Sequence, residues 1–309
     1  MALTVPASAS AYGWPLRPFD RQHAIRGGFD DPREMPRLDG IGWARRFHFG
    51  VDISASAGTP VYAVAPGTVY NYADAVAIRR RGGHELSYWH VVPARREHSF
   101  VETGSVIGWV RAGWDHVHLA ESQNGVYLNP LRPGALTPYA DSTVPVVSTV
   151  ELRRRGSTVA IDPSAVWGAV DVVAVAYDPP PILPPAPWQT AVFVPALIRW
   201  RLIGPDETAI LPWQTAVDLR LRCPGPSLFS TVFAPDTRQN RPGIGGHYAF
   251  WLDRGLDTSA LVPGDYRIDV EASHGTERVS LRELARPRGR EAKILCASGC
   301  FSPDGQWFA

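Results

Sequence analysis

The chain lacks a strong net charge and a long apolar run. Its 31 basic and 30 acidic residues give a formal net charge of +1. The chain therefore has no overall positive electrostatic field that would attract nucleic acid or an anionic membrane surface. No stretch of about 18 consecutive apolar residues occurs, which predicts that no helix spans a membrane. The hydrophobic fraction of 45% and the charged fraction of 20% are those of a folded globular protein.

Cysteine is also scarce. The three cysteines are Cys223, Cys296 and Cys300, and an odd number leaves at least one thiol unpaired within the chain. Cys296 and Cys300 are close enough in sequence to close a small disulfide loop in an oxidising compartment. A structural zinc site on these two thiols is disfavoured, because no second pair of cysteine ligands lies nearby.

Long helices are disfavoured by the 28 glycines and 29 prolines spread along the chain, and short strands joined by turns are favoured. Apolar and polar residues alternate from Phe47 to Ser54, which is typical of a half-buried strand. A hairpin is predicted between Val61 and Tyr70, and strand-like runs continue to Leu281. We therefore predict an all-β, mainly antiparallel fold, in which a compact β-sheet domain is followed by an immunoglobulin-like β-sandwich.

Turn residues cluster between Pro133 and Thr143, and a length of 309 residues favours two domains. The predicted boundaries are 1–45 for an N-terminal extension, 46–140 for the first β domain, 145–285 for the β-sandwich and 286–309 for a C-terminal tail. The proline-rich stretch 178–187 is interpreted as a stiff spacer within the sandwich. The motif Pro-Trp-Gln-Thr-Ala-Val occurs at 187–192 and again at 212–217, and we interpret both copies as equivalent turns that lead into strands.

Two separate segments carry histidines and a carboxylate at short spacing: His48-Phe49-Gly50-Val51-Asp52 and His116-Val117-His118. Alternate side chains of a strand share one face, so His116 and His118 are expected to point the same way. A straight strand would separate His48 from Asp52 by about 13 Å, and we expect a bend at Gly50 to bring them together. His48, Asp52 and one of the two later histidines then make three ligands with an open position, as in a catalytic zinc site.

Further motifs surround these two segments. They are Gly58-Thr59-Pro60-Val61-Tyr62-Ala63 followed by Gly67 and Val69, then Tyr88-Trp89-His90, then a spaced run of Val101, Gly104, Ile107 and Gly108, and finally Asn129-Pro130-Leu131. In this order, the motifs make the stretch from Phe47 to Leu131 resemble the lysostaphin-type (LytM-domain) zinc endopeptidases. Members of that family cut the peptide cross-links of bacterial cell walls.

The resemblance implies that His48, Asp52 and His118 bind Zn2+, and that His90 and His116 are the catalytic pair beside the metal. It also implies a zinc metalloendopeptidase that is secreted or located in the cell envelope, with a peptidoglycan peptide as its substrate. The start of the chain, up to Ala11, looks like the small-residue end of a signal peptide but lacks a positive n-region and an apolar h-region. The histidines that match no family motif are expected to be structural or solvated: His23, His84, His98, His247 and His274.

An alternative of a different class is a non-catalytic cell-wall-binding or regulatory module of the same fold. All five side chains of the implied site are present, which favours the enzyme.

Two departures from the family pattern lie close to these five side chains. The segment from Arg111 to Asp115 is shorter and bulkier than usual, and Leu119-Ala120-Glu121 places an acid one position later. Both changes affect the walls of the groove and not the ligands, so they bear on substrate choice.

Overall fold

The computed structural model describes residues 11–36, 43–163, 166–262, 264–273, 278–288 and 291–296. Short antiparallel strands dominate it, which confirms the all-β prediction, and one short α-helix spans Phe229–Val232. The strands of the first half are β1 (Ile25–Gly27), β2 (Pro32–Pro36), β3 (Trp43–Phe47), β4 (Val51–Ser54), β5 (Pro60–Tyr62), β6 (Gly67–Tyr72), β7 (Ala75–Arg79), β8 (His84–Trp89), β9 (Val91–Pro93), β10 (Phe100–Val101), β11 (Val106–Val110), β12 (His116–Gln123) and β13 (Val126–Leu128). Among the described residues, no helix is long and apolar enough to cross a membrane.

The main sheet of the first half has the order β1-β4-β12-β8-β7-β6-β10, and β13 pairs with β12. β12 therefore lies between β4 and β8. Its antiparallel register sets His118 opposite Asp52 on one side and opposite Trp89 on the other. This pairing brings together three motifs that are far apart in the sequence, because each of them occupies one of these adjacent strands or the residue next to it.

The predicted bend at Gly50 is present. β3 ends at Phe47 and β4 begins at Val51, so residues 48–50 are a break between two strands. Glycine is required there because of close packing: a Cβ on Gly50 would lie 2.4 Å from the carbonyl oxygen of Leu119 and 2.7 Å from Nε2 of His118. The break lets the strand carrying Asp52 lie directly against β12.

The second half forms two packed antiparallel sheets. Its strands are β14 (Val146–Arg154), β15 (Ala169–Tyr177), β16 (Leu197–Ile203), β17 (Ala209–Asp218), β18 (Ala249–Asp257), β19 (Tyr266–Ser273), β20 (Arg278–Arg288) and β21 (Glu291–Cys296). One sheet has the order β14-β15-β18 and the other β17-β16-β19-β20-β21. Val172 and Phe250 of the first sheet share a buried apolar core with Trp200 and Val270 of the second, as in a β-sandwich. An immunoglobulin-like topology stays a prediction.

The two halves pack on each other around the N-terminal segment. Phe193 of the second half belongs to the buried core of the first, and Phe47 belongs to the buried core of the second. Tyr12 and Trp14 are also buried in the first core. The segment predicted as an N-terminal extension therefore contributes side chains to the β-sheet domain, and the predicted domain boundaries stay predictions.

Two local predictions were wrong, and one strand was not predicted. The strands predicted to form a hairpin between Val61 and Tyr70 pair with other partners: β5 pairs with β11, and β6 with β7 and β10. The two Pro-Trp-Gln-Thr-Ala-Val copies are not equivalent, since the first lies in a loop and the second lies within β17. β18 was missed, because its buried apolar start, Ala249 to Leu252, has no polar alternation to mark it as a strand.

Candidate metal centre

Three of the predicted site residues converge on one point. Nε2 of His48 lies 2.7 Å from Nδ1 of His118 and 3.0 Å from Oδ1 of Asp52. Nδ1 of His118 lies 3.1 Å from the same carboxylate oxygen. All three side chains are buried, and among the described residues they form the group of histidine and acidic side chains that could hold a metal ion.

The hydrogen bond on the far side of His48 decides which of its ring nitrogens is free. Nδ1 of His48 lies 2.6 Å from the carbonyl oxygen of Gly28, and a carbonyl can only accept. Nη2 of Arg33 also lies 3.1 Å from Nδ1 and can only donate, but the contact with the carbonyl is the shorter one. With the proton on Nδ1, the lone pair of Nε2 is directed at Asp52 and His118. Two nitrogens and one carboxylate oxygen at this separation are a donor set that fits Zn2+.

Burial keeps both histidines of this cluster unprotonated. It is the largest cause of a lowered pKa for His48, and Arg33 adds to the effect. Burial also lowers the pKa of His118 to about 4. For Asp52, burial alone would raise the pKa, but electrostatic interactions with His48 and His116 hold it well below its usual range. At neutral pH the cluster is two neutral imidazoles and one carboxylate, the protonation state that metal binding needs.

Arg33 supports the cluster from the N-terminal segment. Its Nη2 donates to Oδ2 of Asp52 at 3.0 Å, so one carboxylate oxygen is held by the arginine and the other, Oδ1, faces the histidines. The Arg33 side chain is 20% exposed and that of Asp52 is 12% exposed. This outer contact orients the carboxylate, which is how groups behind metal ligands usually act. The sequence predictions did not include Arg33.

His90 lies beside the cluster in a strained backbone conformation. It follows β8 and has a φ of 64°, which is uncommon for a residue with a side chain. Its Nδ1 lies 2.7 Å from Oδ2 of Asp74, and its ring stacks on Trp114 at 3.6 Å and 9°. Burial, followed by the neighbouring His116, lowers the pKa of His90 to about 4. The ring is thus neutral at pH 7, and its Nδ1 proton is bonded to Asp74.

His116 is the second predicted catalytic histidine. Its Nε2 lies 3.4 Å from Oδ1 of Asp52, and its ring is 4.7 Å from that of His90. Its Nδ1 has two neighbours: Nη2 of Arg26 at 2.6 Å and the carbonyl oxygen of Trp114 at 2.8 Å. The arginine can only donate and the carbonyl can only accept, so the two contacts select opposite tautomers of His116.

The remaining described histidines lie elsewhere. Nε2 of His84 bonds to Glu121 at 2.8 Å, and that fully buried carboxylate also accepts from Arg132 and Tyr12. His23 bonds to the carbonyl of Pro18. His98 and His247 lie near Glu97 and Asp236, respectively, and His274 falls outside the described residues, as does Cys300.

Residues 46–130 match the family model for peptidase family M23. The curated relatives include the DD-carboxypeptidase/endopeptidase Mpg of Neisseria meningitidis serogroup B and that of Neisseria gonorrhoeae. Each is 35% identical over 103 residues, which is 30% of this chain and 24% of the relative. The chain thus spans about a quarter of the length of these relatives.

The solved structures that resemble the chain include Csd3 of Helicobacter pylori and a zinc containing peptidase of Vibrio cholerae. Csd3 is 24% identical over 43% of this chain and 36% of its own, with a TM-score of 0.33. The Vibrio peptidase is 21% identical over 38% of this chain and 39% of its own, with a TM-score of 0.31. Nothing about function follows from these two likenesses. The match over residues 46–130 agrees with the motifs and with the antiparallel sheet that carries them, and it confirms that this part of the chain resembles peptidase family M23, the lysostaphin-type family.

Proposed function

We propose that the chain is a zinc-dependent endopeptidase that hydrolyses the peptide cross-links of bacterial peptidoglycan. The observation that carries the proposal is the convergence of His48, Asp52 and His118 within the stretch that matches peptidase family M23. The relatives named as DD-carboxypeptidase/endopeptidase support a peptide substrate of this kind. Action on peptidoglycan is consistent with a secreted or cell-envelope location.

The residues proposed as ligands are His48 through Nε2, Asp52 through Oδ1 and His118 through Nδ1, which are the atoms that face one another. When bound at these atoms, zinc supplies a Lewis acid that polarises the scissile carbonyl and makes an adjacent water more acidic. The remaining steps are assigned to side chains of the chain itself.

His90 is proposed as the group that takes the proton of the attacking water. Its Nδ1–H is held by Asp74, so its Nε2 has a free lone pair. The backbone N–H of His90 donates to the carbonyl of Asp74 at 2.7 Å, and the N–H of Arg111 donates to the carbonyl of His90 at 2.8 Å. These two contacts hold the backbone of His90 in its unfavourable conformation, while Asp74 and Trp114 hold the ring. Proton transfer by a positioned histidine contributes about 100- to 10,000-fold to the rate.

His116 is proposed to stabilise the oxyanion that forms when water attacks the amide. When Nδ1 accepts from Arg26, the proton of the ring is on Nε2, which faces the metal cluster. An N–H directed at a developing negative charge in a water-poor site is an effective stabiliser. His90 can then give the proton that it took from the water to the leaving amine, which returns both histidines to their neutral state.

Digestion of purified peptidoglycan tests the proposal. We expect the full chain with one equivalent of zinc to release cross-link fragments detectable by mass spectrometry, and a chelator to stop the release. Asp52→Ala and His118→Ala should lose zinc, whereas His116→Ala should keep zinc and lose about 100-fold or more in rate. His98→Asn is the matched control, because His98 is 66% exposed and asparagine tolerates its positive φ.

Absence of chelator-sensitive cleavage on every wall type would favour the alternative, a non-catalytic cell-wall-binding or regulatory module. Loss of zinc by His116→Ala would instead show that the ligand assignment is wrong.

A further inference from the structure

A cavity of about 400 Å³ lies between the two halves of the chain, and the proposed peptidase chemistry does not use it. Phe29 and Leu131 of the first half line it, together with Phe193 and Leu219 of the second. Leu221 also lines the cavity and is 50% exposed, so the cavity opens to solvent. A pocket of this size with mostly apolar walls is typical of a site for a small organic molecule.

One carboxyl group in the cavity wall is buried without a strong hydrogen-bond partner. Asp178 follows β15 and is 2% exposed, and its Oδ1 lies 3.3 Å from the hydroxyl oxygen of Thr143. That hydroxyl has a single proton and two closer acceptors, Oδ1 of Asp141 at 2.6 Å and the carbonyl oxygen of Pro179 at 2.8 Å. Among the described residues, no other group donates a hydrogen bond to the Asp178 carboxyl. Asp178 therefore has hydrogen-bonding capacity left for a ligand in the cavity.

The charge of Asp178 is not compensated by the part of the chain that the structure describes. The charged group that acts on it electrostatically is a second acid of the cavity wall, Asp141. Burial, followed by this acid, raises the pKa of Asp178 to about 8. Asp141 in turn accepts from the hydroxyl groups of Tyr139 at 2.9 Å and of Thr143 at 2.6 Å. Neutral hydroxyl groups therefore stand where a positive counter-ion would otherwise lie.

The two arginines of the cavity wall are already paired with other acids. Arg132 donates from Nη1 and Nη2 to the two carboxylate oxygens of Glu121 at 2.7 and 2.8 Å. Arg220 donates from Nε and Nη2 to the two carboxylate oxygens of Asp218 at 2.9 and 2.8 Å. Such two-point contacts neutralise both guanidinium groups. The charge left to the cavity is that of its two unpaired acids, so the cavity favours a positive ligand over a negative one.

A bare metal ion fits this cavity poorly. Ca²⁺, the usual ion at carboxylates, takes about six to eight oxygen ligands, and the oxygens of Asp141 already accept from Tyr139 and Thr143. Among the described residues, the group that converges closely enough to hold an ion is the cluster around Asp52. An organic ammonium ion needs fewer polar partners, because one carboxylate takes its N–H donors and the apolar wall covers its carbon atoms.

We propose that the cavity between the two halves binds an organic ammonium ion with an apolar body, its nitrogen at Asp178 and its body against Phe29 and Phe193. Two backbone hydrogen bonds of 2.8 and 2.7 Å join Asp178 to Phe193, so the carboxyl and an aromatic wall are held side by side before a ligand enters. Aromatic faces attract cations as well as apolar groups. This binding site goes beyond the proposed function, since it requires neither zinc nor cleavage.

Ligand-observed NMR on the metal-free full chain tests the inference. The probes share one apolar body: 4-phenylbutylamine is a cation, 4-phenylbutanol is neutral and 4-phenylbutyrate is an anion. At about pH 9, Asp178 is mostly ionised and an alkyl ammonium keeps its proton. We expect saturable binding of the amine at least about tenfold tighter than that of the alcohol, as for a hydrogen bond between charged groups, and no saturable binding of the anion. Equal binding of amine and alcohol, or no saturable binding of the amine, would overturn the inference.

Variants assign the binding to Asp178. Asp178→Asn keeps the shape of the side chain and removes its charge, so it should weaken 4-phenylbutylamine at least about tenfold and leave 4-phenylbutanol unchanged. Asp257→Asn is the matched control, because Asp257 is exposed at the other end of β15, opposite Ala169, and asparagine replaces aspartate well at a helix N-cap. Thermal unfolding of each variant shows whether it is folded. Wild-type affinity for the amine in folded Asp178→Asn would contradict the assignment.

The candidate metal centre is another place where a buried carboxylate attracts a cation, and Asp52→Asn separates the two sites. This variant should leave the affinity for 4-phenylbutylamine unchanged. Loss of the amine in folded Asp52→Asn, with full binding in Asp178→Asn, would place the amine at the metal centre and overturn the inference. An inactive chain that binds the amine at Asp178 would refute the peptidase alone, and an active peptidase that does not bind it would refute this site alone.

Discussion

Replacement of Gly50 by alanine isolates the packing that brings the proposed ligands together. The added Cβ would lie 2.4 Å from the carbonyl oxygen of Leu119 and 2.7 Å from Nε2 of His118, whereas real Cβ contacts are essentially never below 3.0 Å. The backbone oxygen belongs to the central strand β12 and cannot turn away. β4 and β12 must therefore separate by at least about 0.6 Å, the difference between the closest contact and that limit.

A displacement of this size exceeds the tolerance of about 0.5 Å within which a functional constellation must be held. We expect Gly50→Ala to lower the free energy of unfolding by about 1–3 kcal/mol, as for other overpacked sites. We also expect zinc affinity to fall about 10- to 100-fold, the usual effect of disturbing groups that orient metal ligands.

Competition with a chromophoric zinc chelator measures the affinity, and urea unfolding of the metal-free chain measures the stability. Gly13→Ala is the matched control, because a Cβ there would meet its nearest atom at an ordinary 3.4 Å. Zinc affinity within twofold of the wild type in a Gly50→Ala chain of unchanged stability would refute the reasoning. It would mean that the strands can move apart without disturbing the ligands.

Three further predictions concern groups around the centre. Asp74→Asn should keep zinc but lower turnover about 10- to 100-fold, because the amide no longer stabilises the Nδ1–H tautomer of His90; unchanged kcat would exclude a positioning role for Asp74. Glu121→Ala should cost about 3–5 kcal/mol in urea unfolding, since it leaves Arg132 without its buried partner; a loss below about 1 kcal/mol would contradict this. Because the pKa of His118 is about 4, its protonation should change zinc affinity little between pH 7 and 5 and should lower it steeply near pH 4, where protons compete with zinc for Nδ1 of His118. A steep fall near pH 6.5 in a chelator competition would show that the pKa of His118 is not lowered.

Glu121 also illustrates how folding and protonation are linked. Burial by itself would raise the pKa of this carboxyl, but hydrogen bonds from His84 and Arg132 lower it to about 2 from an ordinary 4.5. A carboxyl with a lowered pKa in the folded state stabilises that state fully above its unfolded pKa. The contribution is lost as the pH falls from about 4.5 towards 2.

The sequence alone led to the fold class and to the residues that converge. Frequent turns and alternating strands predicted an all-β fold, since the period of two in side-chain direction is a local property of the backbone. The motif around His48 and Asp52 could be recognised from the sequence for a related reason. The bend at Gly50 and the short spacing of the two side chains are also local features.

The pairing of distant strands was decided only by the tertiary structure. β12 pairs with β4 and β8, which sets His118 against Asp52 and brings His90 near His116. Spacing along the chain could not choose between His116 and His118 as a ligand, nor select His90 over His84. The motif resemblance made those choices, and the structure puts His118 in the cluster and His84 against Glu121.

The charged residues that surround the proposed ligands could not be identified from the sequence. Arg26, Arg33 and Asp74 are ordinary charged residues in turn-rich segments, and the chain has 31 basic and 30 acidic residues among which to choose. Their roles depend on long-range contacts: Arg33 with Asp52, Asp74 with His90, and Arg26 with His116 and Trp188. The sequence thus determined which groups can hold a metal, because the types of the metal-binding residues and their local spacing are properties of the sequence itself. Folding decided which charges surround those groups, because hydrogen bonds and ion pairs form between whichever side chains the packed strands bring within a few ångströms.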